Sequence, residues 1–172
     1  MTGKYFLYIT GCDMNYSDAE RIATILNGFG YSATNKADEA DIVIAVACSV
    51  REKAVHKVLG KVNEWKKIKI PIILVTGCII PQDKKKFEKK ADLVFEIKDL
   101  KILKGFLNRI MDRELRIKNG DNQYDSRFKV QDSSLENVNN YLAINPSYKN
   151  KFSAYLPIMT GCNNFCSYCA VP

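Results

Sequence analysis

The chain has 172 residues, enough for one ordinary domain and an extension, and 47% of them are apolar, enough to fill a core. Its formal net charge of +7 is unevenly spread: residues 51–118 hold 19 Lys and Arg against 9 Asp and Glu, whereas the remainder holds 7 against 10. The N-terminal MTGKYFLYIT has one lysine and an apolar stretch too short for a secretory h-region or a membrane span, which excludes both and predicts a cytoplasmic protein.

KYFLYIT (4–10), DIVIAVA (41–47), PIILVT (71–76) and DLVFEI (92–97) are short, β-branched and almost continuously apolar, as strands buried on both faces are. Helical patterns lie between them. After the first strand, Ser17 with Glu20 reads as a capping box, Ile22, Ile25, Leu26 and Phe29 form a stripe, and Gly30 supplies a stop. After the second, Ser49 with Glu52 reads as another box, leading into Ala54, Val55, Val58, Leu59, Val62 and Trp65, the tryptophan on the core side. A lysine-rich helix is predicted over 82–90, and Leu100, Leu103, Phe106, Leu107 and Ile110 mark a last one over 99–113. The alternation predicts an α/β fold, a parallel sheet with helices on both faces.

From 117 to 150 the pattern fades into Asn, Asp and Ser, as in a linker, and AYLPIMT (154–160) reads as the first strand of something new. The expected division is 1–116, 117–150 and 151–172. The basic excess of 51–118 fits a phosphate backbone and fits an ordinary solvated helix face equally well.

Six cysteines in a reducing compartment point to metal ligands, redox groups or buried apolar residues before disulfides. Cys12, Cys48 and Cys78 sit in TGCDMN, VACSVRE and TGCIIP, each just past a predicted strand and before a predicted helix. In a parallel sheet all carboxyl ends share one edge, where ligands bind, so three thiols distant in sequence converge there. Helix N-termini favour thiolates, and Gly11 and Gly77 let backbone approach a bulky inorganic group. Three independent buried cysteines are the plainer alternative. Three soft ligands without a fourth suit a [4Fe–4S] cluster with one open iron, or a zinc ion completed by water or substrate. The only histidine, His56, reads as a partly exposed helix residue. Asn15 and Asp18 read as residues that shape and cap the turn after Cys12, and Arg51 as a first-turn surface residue with RNA phosphate or sulfur as its other possible contact.

The remaining cysteines, Cys162, Cys166 and Cys169, form Cys-x3-Cys-x2-Cys with Asn163, Asn164 and Phe165 in the first gap and Ser167 and Tyr168 in the second. One short loop of this spacing wraps a cubane and leaves one iron open, whereas a zinc knuckle normally shows paired Cys-x2-Cys elements and four ligands.

With an aromatic residue before its last cysteine, this loop resembles that of the radical S-adenosylmethionine (SAM) enzymes. The whole chain resembles the radical-SAM methylthiotransferases: TGCDMNYSDAE is similar to their first block, CSVREKAVHK to their second, TGC to their third and GCNNFCSYCAVP to their radical-SAM loop. The resemblance implies two [4Fe–4S] clusters and S-adenosylmethionine as cofactors, with Cys12, Cys48 and Cys78 holding an auxiliary cluster and Cys162, Cys166 and Cys169 the SAM-binding one. It further implies an N-terminal methylthiotransferase domain (1–116), a linker (117–150) and the start of a radical-SAM barrel cut short (151–172), inactive alone. CDMN resembles the wording of the branch that modifies position 2 of isopentenyl-adenosine beside the tRNA anticodon. The competing branches act on threonylcarbamoyl adenosine and on a ribosomal-protein aspartate, the last with a Pro-Lys-Asn wording.

The implied partner is tRNA, with the electron and sulfur donors unidentified, no membrane and a monomeric state. Two departures concern the surroundings of the cysteines: Val46 and Ala47 stand where Asn-Thr is common, and TGCIIPQ shifts the usual Gln by one place. The rival from another class is a non-catalytic module in which a flavodoxin-like sheet binds RNA or holds structural zinc.

Overall fold

The computed structural model describes residues 3–50, 52–118, 141–148, 150–158, 164, 166 and 167. β1 (Lys4–Ile9), β2 (Ser32–Ala33), β3 (Ile42–Cys48), β4 (Ile72–Cys78) and β5 (Leu93–Val94) form one sheet in the order β2-β1-β3-β4-β5. Every pairing is parallel. All seven residues of β3 are buried, which explains an unbroken apolar run where a half-exposed strand would alternate.

The two-residue period of the strands sorts their side chains onto two cores. Ile42, Ile44, Val46 and Leu74 face α1 (Asp13–Gly28) and α4 (Leu100–Lys118), packing with Ile22, Leu26, Leu103 and Leu107. Val43, Ala45, Ile73 and Val75 face α2 (Glu52–Lys67) and α3 (Pro81–Glu88), packing with Val58, Val62, Trp65 and Phe87. Trp65 is in the core as expected, its ring meeting Tyr8 edge-on at 5.7 Å.

The chain leaves β1 for β2 on one side and leaves β3 for β4 on the other, so α1 and α2 depart from neighbouring strands to opposite faces. This is the doubly wound order, and it opens a crevice at the carboxyl ends of β1 and β3.

Several local expectations are corrected. α1 begins at Asp13, with Cys12 at its N-cap and Asn15 in the third position, so Ser17 lies inside the helix and its box with Glu20 does not form. α2 begins at Glu52, and the Ser49 hydroxyl accepts from the Ile80 N–H (3.2 Å), joining the start of α3 instead of capping α2. The strand expected over 92–97 is only Leu93–Val94, because the Phe95 carbonyl is taken by the Thr76 hydroxyl (2.8 Å) and not by a ladder N–H. β2 was not foreseen; two exposed residues carry no apolar period. α3 falls close to its expected place and α4 runs on to Lys118. The stop at Gly30 holds, with φ +82 just past Phe29.

Most of the predicted linker lies outside the described residues. Its last part is ordered on α1: Tyr141–Ala143 makes a 3-10 turn, the Thr24 hydroxyl donates to the Asn145 carbonyl (2.8 Å), and the Ser147 N–H donates to the Glu20 carbonyl (3.2 Å). The described residues of the strand expected over 154–160 carry no strand.

Candidate thiol site at the carboxyl edge of the sheet

Cys48 and Cys78 are the last residues of β3 and β4 and stand opposite each other in register. Cys12 stands three residues past β1, at the head of α1. The backbone between these points is tightly drawn. Gly11 has φ +134, and a Cβ there would lie 2.9 Å from the Cys48 Cβ, so the turn bearing Cys12 rests on Cys48. Gly77 has φ +115, and a Cβ there would lie 2.2 Å from the Ala47 carbonyl oxygen. The Ser49 N–H closes the same edge by donating to the Cys78 carbonyl (2.8 Å).

Asn15 ties the turn to the sheet. Fully buried, it accepts from the Cys12 N–H (3.1 Å) and donates through Nδ2 to the Ala47 carbonyl (3.3 Å), with the Cys12 Sγ 3.6 Å from its Oδ1. It therefore shapes the turn, as expected, and it also links the head of α1 to β3. Asn15→Ala removes the side-chain partner of the part-buried Cys12 N–H and of the buried Ala47 carbonyl, and the expected cost is about 2 kcal/mol in a urea titration. The same variant is expected to expose Cys48 to thiol reagents more readily than the wild-type protein does.

The three thiols differ in access: Cys12 is exposed, Cys78 half-buried and Cys48 only 4% exposed. Burial, with the charges of Asp18, Cys48 and Cys12 adding to it, pushes the Cys78 thiol up to about 11 against the opposing effect of Lys98. Desolvation and neighbouring negative charge thus act against the thiolate at Cys78 in the metal-free protein. At neutral pH Cys78 is a thiol and a poor free nucleophile. A cationic metal centre reverses this balance, since a coordinating thiol gives up its proton to the metal's field.

Three soft donors at the crevice of a doubly wound sheet fit an iron–sulfur or zinc centre by donor chemistry. Among the described residues no three His, Cys, Asp or Glu side chains stand in a ready-made metal-binding group.

The other sequence-predicted residues are placed as follows. Cys166 is exposed, and Cys162, Cys169 and Arg51 lie outside the described residues. His56 is exposed on α2, 3.7 Å from Glu52, where it is no ligand of the thiol edge. Asp18 does not cap the turn. It is fully buried and accepts from the Tyr141 hydroxyl at 2.5 Å, while its Oδ2 is buried with no hydrogen-bond partner.

Sequence reasoning missed Arg21 and Tyr141 altogether, for they meet across 120 residues with no local signal. Beside Cys12, a groove of about 360 Å³ is lined by Asp13, Met14 and Ser17 of α1 and by Tyr155, Leu156, Pro157 and Ile158.

Fold and site together define a doubly wound α/β domain with cysteines at the ends of its central strands, and no helix among the described residues is long and apolar enough to cross a membrane. Residues 4–97 match the family described as "Uncharacterized protein family UPF0004", and the chain belongs to that family. A protein of Dictyoglomus thermophilum is 36% identical over 177 residues, covering 98% of this chain and 37% of its own length. Similar proteins of Geobacter metallireducens (34% over 180 residues) and Aquifex aeolicus (32% over 179 residues) are each covered over 38% of their length. All three are named tRNA-2-methylthio-N(6)-dimethylallyladenosine synthase. The chain thus spans less than two fifths of the curated relatives it matches.

Proposed function

We propose that this chain is the N-terminal portion of a radical-SAM tRNA methylthiotransferase that places a methylthio group on position 2 of isopentenyl-adenosine beside the anticodon. The observation that carries the reading is the edge itself: Cys48 and Cys78 in register at the ends of adjacent strands, with Gly11, the neighbour of Cys12, packed against Cys48. Cys12, Cys48 and Cys78 hold the auxiliary [4Fe–4S] cluster, and Cys162, Cys166 and Cys169 the SAM-binding one. The clusters and S-adenosylmethionine supply the radical and sulfur-transfer chemistry when bound. The chain's residues position and shield: Asn15 holds the Cys12 turn, and the two cores keep water from the inner side of the edge.

The relatives' names support the nucleoside, as does the CDMN wording. The lysines of α2 and α3, several of them exposed, support a tRNA partner through phosphate contacts. Residues up to Lys118 are the methylthiotransferase domain of a cytoplasmic monomer, residues 141–148 are laid against its α1, and the cysteine segment 162–169 belongs to its SAM-binding unit.

Anaerobic reconstitution tests the site. The expected product is brown protein with about eight irons, the content of two cubanes. Cys12→Ser, Cys48→Ser or Cys78→Ser is expected to lose about half of that iron. Colourless protein that retains zinc would overturn the enzyme in favour of a structural metal module. In the longer protein, turnover of threonylcarbamoyl adenosine with none of the isopentenyl nucleoside would overturn the substrate alone.

A further inference from the structure

α2 and α3 cover the same face of the sheet, and Lys90, just past α3, donates to the Asn63 side chain of α2 (2.8 Å). The two helices therefore lie side by side with continuous outer surfaces. α2 follows Cys48 and α3 follows Cys78 closely in the chain, so both start near the thiol edge and run away from it, α2 for about 24 Å.

Their outward residues are cationic. Lys53, Lys57, Lys66, Lys67, Lys85 and Lys89 are all exposed and make no ion pair among the described residues. Of the four carboxylates that the two helices carry, Glu64 is taken by Lys61 and Asp83 by Lys86 (2.8 Å each), and Glu52 faces His56 at 3.7 Å.

A helix face that is merely solvated gains from carboxylates and lysines placed four residues apart. Here that spacing sets lysine against lysine: Lys53 with Lys57, Lys57 with Lys61, Lys85 with Lys89 and Lys86 with Lys90. Each such pair repels, and Lys53 also stands in the first turn of α2, where the helix dipole disfavours a cation. Gly60 weakens α2 further and leaves bare, exposed backbone between Lys57 and Lys67, with nothing within 4 Å of an added Cβ. These features cost the isolated domain stability, and a polyanion lying along the helices offsets them by placing negative charge among the lysines. Val55, Val58, Val62 and Trp65 of α2 and Phe87 of α3 are buried in the core, which leaves the helices without the apolar outer stripe of a membrane-surface helix.

We infer that the outer surface of α2 and α3 binds the phosphate backbone of RNA, so that this domain grips RNA by charge, without reading its bases, along a track that leads to the thiol edge. Lysines are point charges that position a backbone and carry no base code. The choice of RNA among polyanions rests on the tRNA reading above. The test uses the metal-free chain, so iron uptake and turnover, which decide that reading, stay separate from it.

Binding of the reduced, metal-free chain to two folded RNA hairpins of unrelated sequence is followed by fluorescence anisotropy over a salt series. Lys53→Gln with Lys57→Gln, and Lys85→Gln with Lys89→Gln, are expected to weaken both hairpins alike and to reduce the slope of log K against log salt by about one for each lysine. Lys101→Gln with Lys104→Gln removes two charges from α4, on the opposite face of the sheet, and is expected to leave the slope unchanged. Urea midpoints of the α2 and α3 variants are expected to match or exceed that of the wild type, because repulsion is relieved, and they show that these variants fold.

Failure of the wild type to bind either hairpin, no loss in the α2 and α3 variants, or an equal loss in the α4 variant overturns the surface. Tighter binding at the same salt to phosphatidylserine vesicles or to polyglutamate than to the hairpins assigns it to a membrane or an acidic protein and overturns RNA as its occupant. Failure to take up iron leaves the salt slopes standing.

Discussion

Alanine in place of Gly77 is expected to cost the domain about 3 kcal/mol, the range of a strained backbone position in a packed sheet. The residue has φ +115, where an L side chain is strained whatever the space around it. There is also no space: an added Cβ would lie 2.2 Å from the Ala47 carbonyl oxygen and 2.9 Å from the Ala47 nitrogen. Both are backbone atoms of the neighbouring strand, so no side chain can swing away. The end of β4 must instead part from β3, which breaks the pairing of Ala47 with Gly77 and of Cys48 with Cys78.

On the proposed two-cluster reading, a second consequence is loss of the N-terminal iron, to the level of Cys48→Ser. Gly60 is the control. It lies inside α2 with nothing within 4 Å of its would-be Cβ, so Gly60→Ala is expected to stabilise by about 0.5–1 kcal/mol. Urea midpoints of the two variants decide the matter, and a Gly77→Ala protein as stable as the wild type would contradict the close approach of the two strands.

Asp18 is expected to make the stability of the domain fall by about 3 kcal/mol as pH rises from about 4 to about 6. Burial pushes its carboxyl up from 3.8 to about 6, against the hydrogen bond from Tyr141 and the charge of Arg21, which act the other way. The groups that bear on it are those two and Cys78, whose thiol it raises in turn. In the folded protein the carboxyl keeps its proton to a higher pH than in the unfolded chain. The neutral form is thus fully present in both states below the unfolded value, and above about 6 the folded state holds a desolvated charge. That is the sense of the fall: the favourable term is complete at low pH and lost through the folded value.

Asp18→Asn accepts the Tyr141 hydroxyl without titrating. Its stability relative to the wild type is expected to rise by about 3 kcal/mol from pH 4 to pH 7, measured as the difference of two urea titrations at each pH. A difference that stays flat over that interval would show the carboxyl to be solvated. The slope is the readout, because the amide's own extra N–H shifts both ends of the comparison equally.

The edge that carries the three cysteines was legible before any fold was known. Cys12, Cys48 and Cys78 each follow an apolar run, and a chain of alternating strands and helices places every strand end on one edge, so their shared edge is a matter of topology. Gly11 and Gly77 were singled out for the approach of backbone to an inorganic group, whereas the structure packs them against Asn15 and Cys48 and against Ala47, at positive φ. The start of α1 was not. Ser17 and Glu20 satisfy the spacing of a capping box, but Cys12 and Asn15 take that role because the Asn15 amide also reaches the Ala47 carbonyl of β3, a partner invisible to a pattern four residues wide. β5 was misjudged in the same way, through the Thr76 hydroxyl that claims the Phe95 carbonyl.

The sequence by itself determined the parallel α/β order and the shared edge of the three cysteines, because apolar runs and right-handed crossovers are local or nearly so. Only the tertiary structure decided that the Cys78 thiol is pushed up, because its burial and the nearby Asp18 come from packing and not from the local pattern. It alone joined Tyr141 to Arg21, since a contact across 120 residues is selected by the packed surface of α1 and leaves no periodic trace in the chain.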